Sequence, residues 1–298
     1  MRAGPGALRG HGSLADGERV LLVDAKDRRY LVTLRAGTRF HTHAGIVDHD
    51  DLIGQMEGTT VTGSTGRRFL VVRPTLADVV LKMPRGAQVV YPKDLAVMVS
   101  SADIAPGDRV LEAGVGSGAL SMALLRAGAS VVGYELREDF AARATANVVA
   151  MAGEGAPYRV ELRDVYAGID EVVDRVVLDL PEPWRVLPHL PGALRFGGIV
   201  CAYLPTINQT AQLRAALDEG PFGLTTTVEV LHRTWHIEAR SVRPDHRMVG
   251  HTGFITTSRL LAPAPATSGS PGVPETSGAP GVLPGLSDPA TGPEGDRA

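Results

Sequence analysis

A single cysteine, Cys201, stands among 298 residues, so no disulfide can form within the chain and a reducing compartment is the natural setting. Cys201 lies inside the apolar run GIVCAYL, where a thiol is ordinarily buried and inert. Long apolar runs are missing too. No stretch reaches the roughly 18 apolar residues of a membrane span, and the opening MRAGPGALRGHGSLADG has no apolar leader core. The expected location is the cytoplasm, with no membrane partner. Charge of one sign is also lacking: 30 basic against 33 acidic residues give a net charge of −3, which announces no nucleic-acid binder. The excess acid lies from Ala262 onward, where Glu275, Asp288, Glu294 and Asp296 face only Arg297. The remainder is balanced, which permits a basic groove without requiring one. Internal repeats are absent.

What is present divides by texture. Residues 1–11 and the Pro/Gly/Ala-rich segment 262–298 hold too few large apolar side chains to offset their ordering entropy, and both are expected to be disordered. Residues 12–75 carry short β-rich runs (RVLLVDA, RYLVTLRA, TTVTG, RRFLVVRP) broken by Gly and Asp, as in a small antiparallel or barrel-like module. Residues 76–261 alternate strands with helical patterns, the signature of a parallel α/β sheet. Five strands are read there: RVLEAG, SVVGYEL, YRVELRD, VDRVVLDL and GGIVCAYLP. A helix over TINQTAQLRAALDEG follows, ended by Gly220. Two strand-like runs, TTTVEVLHRTWHIEA and HTGFITTSRLL, then succeed each other with no helix pattern between them. A Rossmann-like sheet closed by such a pair, with the last strand antiparallel, is the arrangement of Class I methyltransferases.

The stretch VLEAGVGSGAL, residues 110–120, carries the chemistry. Gly114, Gly116 and Gly118 follow a strand at alternate positions, where something approaches the backbone too closely for a Cβ. Gly114, Gly116 and Ala119 satisfy a dinucleotide fingerprint, with Glu135 at the end of the next strand for a ribose hydroxyl. S-adenosylmethionine also presents a ribose diol, so Glu135 serves either ligand. Three details favour the methyl donor: the third glycine at 118, Glu112 two residues before the loop, and Asp164 where an adenine amine could be met.

The fourth strand ends in LDLPEPW. Asp179 followed by two prolines and Trp184 resembles the Asp/Asn-Pro-Pro-aromatic signature of enzymes that methylate nitrogen on nucleic-acid bases. A carboxylate there can accept from an adenine N6 amine, prolines stiffen the loop, and an aromatic can pack on a base. An Asp before Pro is also common turn chemistry.

MPRGAQVVYPKD, VLEAGVGSGAL, YELRED, VVLDLPEPW and RPDHRMVGHTGF occur in one order, and the N-terminal GTRFHTHAGIVDHDDLIG precedes them. Together they resemble the bacterial tRNA (adenine(58)-N1)-methyltransferase family from about Asp16 to Leu261. The resemblance implies a seven-stranded Class I methyltransferase domain behind a small β domain. It further implies a homotetramer that uses S-adenosylmethionine to methylate N1 of a T-loop adenine in tRNA. Matched positions place donor binding at Gln88, Gly114, Gly116, Ser117, Gly118, Ala119, Leu120, Glu135, Phe140, Asp164 and Asp179. Asp179, Tyr91 and Tyr203 fall on the target-base side, Asp179 against the N6 amine and the tyrosines positioning or shielding the base. Glu182 and the long C-terminal segment lie outside the family pattern.

Other features weigh less. His41, His43 and His49 match no standard zinc spacing and are read as loop hydrogen-bonding groups, with no metal site. Arg233, Arg240, Arg243 and Arg247 are either solvated loop charges or tRNA phosphate contacts. Two further functions fit parts of the pattern. A dinucleotide oxidoreductase is permitted by the glycine loop but disfavoured by the strand pair and DLPEPW. A non-catalytic tRNA-binding subunit is disfavoured because the loop, Glu135 and Asp179 are intact.

Overall fold

A computed structural model describes residues 12–84, 86 and 88–263. The segments read as disordered, 1–11 and 262–298, therefore lie outside the described residues apart from Ala262 and Pro263.

The N-terminal strands are β1 (Arg19–Asp24), β2 (Arg29–Thr33), β3 (Arg39–Thr42), β4 (Gly45–Asp48), β5 (Thr60–Thr62) and β6 (Arg68–Val72). Four form an antiparallel sheet in the order β2-β1-β6-β5, and β3 and β4 make a separate hairpin. Alternation in RVLLVD and RFLVV sends Val20, Leu22, Phe69 and Val71 inward with Leu34, Val47 and Leu52. His49 works as a loop hydrogen-bonding group: its Nδ1 accepts from the Arg35 amide at 2.9 Å.

Two helices lead into the main sheet, α1 (Leu76–Lys82) and α2 (Pro92–Ser101). Thr75 starts α1 with a reciprocal capping box, its hydroxyl accepting from the Asp78 amide while Asp78 accepts from the Thr75 amide at 3.0 Å. Asp78 also reaches Arg29 of β2 at 3.2 Å, which ties the helix to the N-terminal sheet. Pro92 opens α2, where its missing N–H is not needed.

The remaining elements are β7 (Arg109–Ala113), α3 (Ala119–Arg126), β8 (Ser130–Glu135), α4 (Glu138–Ala152), β9 (Tyr158–Leu162), β10 (Val173–Leu178), α5 (Leu190–Ala193), β11 (Leu194–Leu204), α6 (Ile207–Glu219), β12 (Phe222–Glu229), β13 (Trp235–Glu238), β14 (Ser241–Pro244) and β15 (Phe254–Leu260). Seven strands form one sheet in the order β12-β15-β11-β10-β7-β8-β9. β9, β8, β7, β10 and β11 are mutually parallel, and β15 inserts antiparallel between β11 and β12. This is the Class I methyltransferase architecture that the strand pattern predicts. The order reverses between β7 and β10, and in open α/β sheets ligands bind beyond the strand carboxyl ends at such a switch point. Cys201 is fully buried in β11, and burial pushes its thiol up to about 12, so it is inert.

The run TTTVEVLHRTWHIEA differs from its single-strand reading. β12 begins earlier, at Phe222, and stops at Glu229, whose partner Phe254 is the first residue of β15. Beyond that pair the main sheet offers no further partner, and the chain leaves it as an arm, residues 231–251. The arm folds on itself as the β13–β14 hairpin, turning at Ala239 with φ 44°. Among the described residues no helix is long and apolar enough to cross a membrane.

Thr75→Ala opens the capping box and should cost about 1 kcal/mol, the scale of one lost N-cap. A urea midpoint that falls with an unchanged m value would show it.

Candidate active site

The β7–α3 loop sits at the switch point, and its glycines serve different needs. At Gly114 (φ 85°) a Cβ would fall on the carbonyl oxygen of Asp179, so the end of β7 and the end of β10 touch backbone to backbone. At Gly118 (φ 81°) a Cβ would meet the Ala144 backbone of α4 at 3.2 Å. Gly116 (φ 55°) has nothing within 4 Å in that direction. The close approach inferred from the glycine spacing is thus partly made by the protein itself, and of the three loop glycines it is Gly116 that faces open space among the described residues. Gly133 in β8 has a related purpose: its missing Cβ leaves room for Val115, whose Cγ2 would stand 2.6 Å from it.

Polar side chains hold this loop. Glu135 ends β8 and accepts from the Gly116 amide at 3.1 Å and from the Arg137 amide at 3.0 Å. Asn147, buried on the inner face of α4, donates to the Ser117 carbonyl at 3.0 Å and to the Pro84 carbonyl at 3.2 Å. Asn147 therefore sets the loop against the segment that carries Gln88. The sequence reading missed it, though a polar residue within the apolar face of ANVVA was its signal.

A narrow cleft opens beside the loop. Gln88, Gly114, Gly116, Ser117, Ala119, Leu120 and Asp179 line it, all expected site residues, together with Val89, Val90 and Val115. The buried Ser117 hydroxyl has no partner among the described residues. An orphaned donor at a helix start, beside a glycine with free space, fits a polar ligand laid along the loop.

Other expected residues lie around the cleft. Phe140, in the first turn of α4, is stacked by Arg137, whose guanidinium carbon is 4.0 Å from the ring centre. Asp164 starts a short 3-10 turn and accepts from the Tyr166 amide at 2.9 Å. Arg185, just after LPEPW, lies 4.2 Å over the Tyr166 ring and so joins the Asp164 turn to the loop after β10. Trp184 packs on the apolar cluster beneath that loop. Tyr91 is half-buried and caps α2, and Tyr203 is buried near the end of β11 with its hydroxyl 3.5 Å from Asp94. Burial pushes the Tyr203 phenol upward, so it stays protonated as a donor.

Electrostatics single out two carboxyls. Glu112, two residues before the loop, is fully buried, accepts from the Ser121 hydroxyl at 2.5 Å, and leaves its other oxygen without a partner. Burial, with the nearby charges of Asp179 and Glu135 adding to it, pushes Glu112 up to about 8. Asp179 is half-buried and lines the cleft, and desolvation pushes it up to about 7. None of the described residues lining the cleft is basic. This surplus of carboxyls suits a cation.

Comparison with known proteins agrees with this geometry. The model of the family described as "tRNA methyltransferase complex GCD14 subunit" matches residues 69–247, and a TrmI-like N-terminal model matches residues 12–61. The chain is 39% identical over 244 residues to the tRNA (adenine(58)-N(1))-methyltransferase TrmI of Thermus thermophilus, covering 80% of this chain and 96% of the relative. The chain belongs to the tRNA (adenine(58)-N(1))-methyltransferase family. A Methanocaldococcus jannaschii member, named as a tRNA (adenine(57)-N(1)/adenine(58)-N(1))-methyltransferase, is 35% identical over 269 residues, covering 80% of this chain and 94% of its own. Among solved structures, Aquifex aeolicus TrmI, titled a tRNA (m1A58) methyltransferase, superposes with a TM-score of 0.75 at 29% identity over 85% of this chain and all of that one. A Thermotoga maritima protein titled a SAM-dependent O-methyltransferase superposes with a TM-score of 0.80 at 33% identity, covering 84% and 96% of the two chains.

The raised carboxyls give the ligand-free protein a definite pH dependence. A carboxyl whose folded value lies above its unfolded one contributes stability that is whole below the unfolded value, about 4, and is lost as pH rises through the folded value. For Asp179 and Glu112 that window closes at about 7 and about 8. The unfolding temperature of the ligand-free protein should therefore fall from pH 5 to pH 8.5, and Asp179→Asn should flatten that fall.

Proposed function

We propose that this protein transfers the methyl group of S-adenosylmethionine to N1 of adenine 58 in the T-loop of tRNA. The observation that carries the donor assignment is the glycine loop held by Glu135 at the Gly116 amide, with the orphaned Ser117 hydroxyl and the Asp179 carboxyl beside the same cleft. S-adenosylmethionine is cationic at its sulfonium and ammonium, whereas a dinucleotide brings an anionic pyrophosphate that this site would repel. The antiparallel β15 also separates the sheet from ordinary dinucleotide-binding sheets.

Each side chain then has a role. Glu135 holds the donor's ribose as well as the loop, Ser117 and the neighbouring loop backbone bind its methionine end, and Asp164 meets its adenine amine. Gln88, Leu120 and Phe140 complete the donor walls. When bound, the donor would supply an electrophilic methyl. The N1 lone pair would form the new N–CH3 bond as the S–CH3 bond breaks and its electrons return to sulfur. That leaves a neutral thioether and a cationic base, so no prior deprotonation is needed. What the chain provides is alignment and a field suited to positive charge moving onto the base. Asp179 accepts from the N6 amine and favours the developing cation, while Tyr91 and Tyr203 position and shield the base. The target base is stacked within the folded tRNA, so it must be extruded before it enters.

The substrate places the protein in the cytoplasm, where tRNA is modified. We read residues 12–75 and 76–261 as its two domains, supported by family matches that end at residue 61 and resume at residue 69. We read its assembly as a homotetramer. Support comes from the arm, where Trp235, Ile237 and Val242 are more than half exposed on a hairpin whose strands pair only with each other. Such a hairpin is marginal in water unless something covers it.

The direct test is methyl transfer to unmodified tRNA, with the product mapped by reverse-transcription stops, beside the melting shifts given by S-adenosylmethionine and by NAD. NAD shifting the melting point where S-adenosylmethionine does not would overturn the donor assignment. A cation entering a site with carboxyls at about 7 and about 8 favours their ionised forms. Donor binding should therefore release protons and tighten as pH rises from 6 to 8, read by calorimetry in buffers of different protonation enthalpy. Asp179→Ala should lower turnover at saturating donor on the order of a hundredfold, with tRNA affinity little changed because phosphate contacts supply most of it. Turnover at the parent's rate would remove Asp179 from the mechanism.

A further inference from the structure

The segment YPKD holds more than the expected Tyr91. Lys93, nine-tenths buried, donates to the Asp94 carboxylate at 2.7 Å, to the Val230 carbonyl at 2.7 Å and to the Thr252 hydroxyl at 2.6 Å. Asp94, fully buried, accepts in turn from the Thr252 hydroxyl at 2.7 Å, and its same oxygen lies 3.5 Å from the Tyr203 hydroxyl. Val230 and Thr252 are the two residues that bracket the arm. One ammonium therefore closes the mouth of the excursion that carries Arg233, Arg240, Arg243 and Arg247.

A second fastening stands beside it. His251 places Nδ1 at 2.7 Å from a Glu229 carboxylate oxygen and Nε2 at 2.7 Å from the Pro205 carbonyl. Both partners are acceptors, so the ring serves both bonds only when it carries both protons. Glu229 ends β12 and Pro205 follows β11, so the arm's base is drawn to the strand that bears Tyr203.

The ion pair does more than fill space. A buried pair kept for stability alone can be replaced by apolar side chains of similar volume, whereas this one makes its extra bonds to the two ends of the arm and faces the Tyr203 hydroxyl. We propose that Lys93 and Thr252 are positioning residues: they fasten the base of the 231–251 arm to the first turn of α2 and hold Tyr203 in place for the acceptor base. This rests on the methyltransferase reading above.

Thr252→Val keeps the side chain's shape and removes its hydroxyl, while Thr252→Ser keeps the hydroxyl. In steady-state methylation of tRNA by the full chain, Thr252→Val should lower kcat about tenfold, within the range that a small misplacement costs. Thr252→Ser should remain within about twofold of the parent, and S-adenosylmethionine affinity should be unchanged in both. Equal kcat in the Val variant and the parent, or equal losses in the Val and Ser variants, would overturn the proposal. As a check independent of activity, Lys93→Met combined with Asp94→Asn avoids a stranded buried charge. It should speed amide hydrogen exchange across residues 231–250 while leaving β7 and β8 protected. Unchanged exchange in the arm would equally overturn the proposal. Failure of the parent itself to methylate tRNA would instead sink the functional reading and leave the exchange result to stand alone.

Discussion

The contact on which the site depends is the one between Gly114 and Asp179. The Asp179 amide donates to the Ala113 carbonyl at 2.9 Å, and the Asp179 carbonyl occupies the space a Gly114 Cβ would need. The loop proposed for the donor and the carboxylate proposed for the acceptor are thus joined backbone to backbone. Any residue other than glycine at 114 would push β7 and β10 apart at the point where the reacting groups must meet. Catalysis by alignment requires this kind of rigidity, because small displacements are costly in rate.

Around that contact the chain gathers carboxyls whose burial favours their neutral forms, beside a cleft with no basic residue among its described lining. Glu112 is held by Ser121 and keeps one oxygen without a partner among the described residues, a cost that burial relieves by favouring its protonated form. The side proposed for the acceptor base is organised differently. There Lys93 and Asp94 neutralise each other and use their remaining bonding capacity to gather α2, β11 and the two ends of the arm. In the proposed reading, the carboxyls of the first half suit a cation, while the second half is already satisfied by its own hydrogen bonds.

Much of the sheet was legible because apolar runs of strand length alternated with helical periods, and because Gly, Pro and Asp marked the ends of elements. The glycine loop, Glu135 and Asp179 were legible for the same reason: strand-end chemistry is local. The interior of the arm was not. Alternating Val228, Val230 and Ile237 reads as one continuous strand, yet β15 supplies a partner only as far as Glu229. Where a strand stops depends on its neighbour's length, which no local pattern encodes.

The residues by themselves determined the fold class, the place of the loop and the acid at each strand end, since these follow from periodicity and backbone sterics. Only the tertiary structure decided which atoms those features face. Gly118 gives room to α4, Asn147 reaches two carbonyls far away in the chain, and Lys93 finds acceptors at Val230 and Thr252. Such assignments rest on separations of a few ångströms between residues distant in sequence, and those are set by how the layers pack.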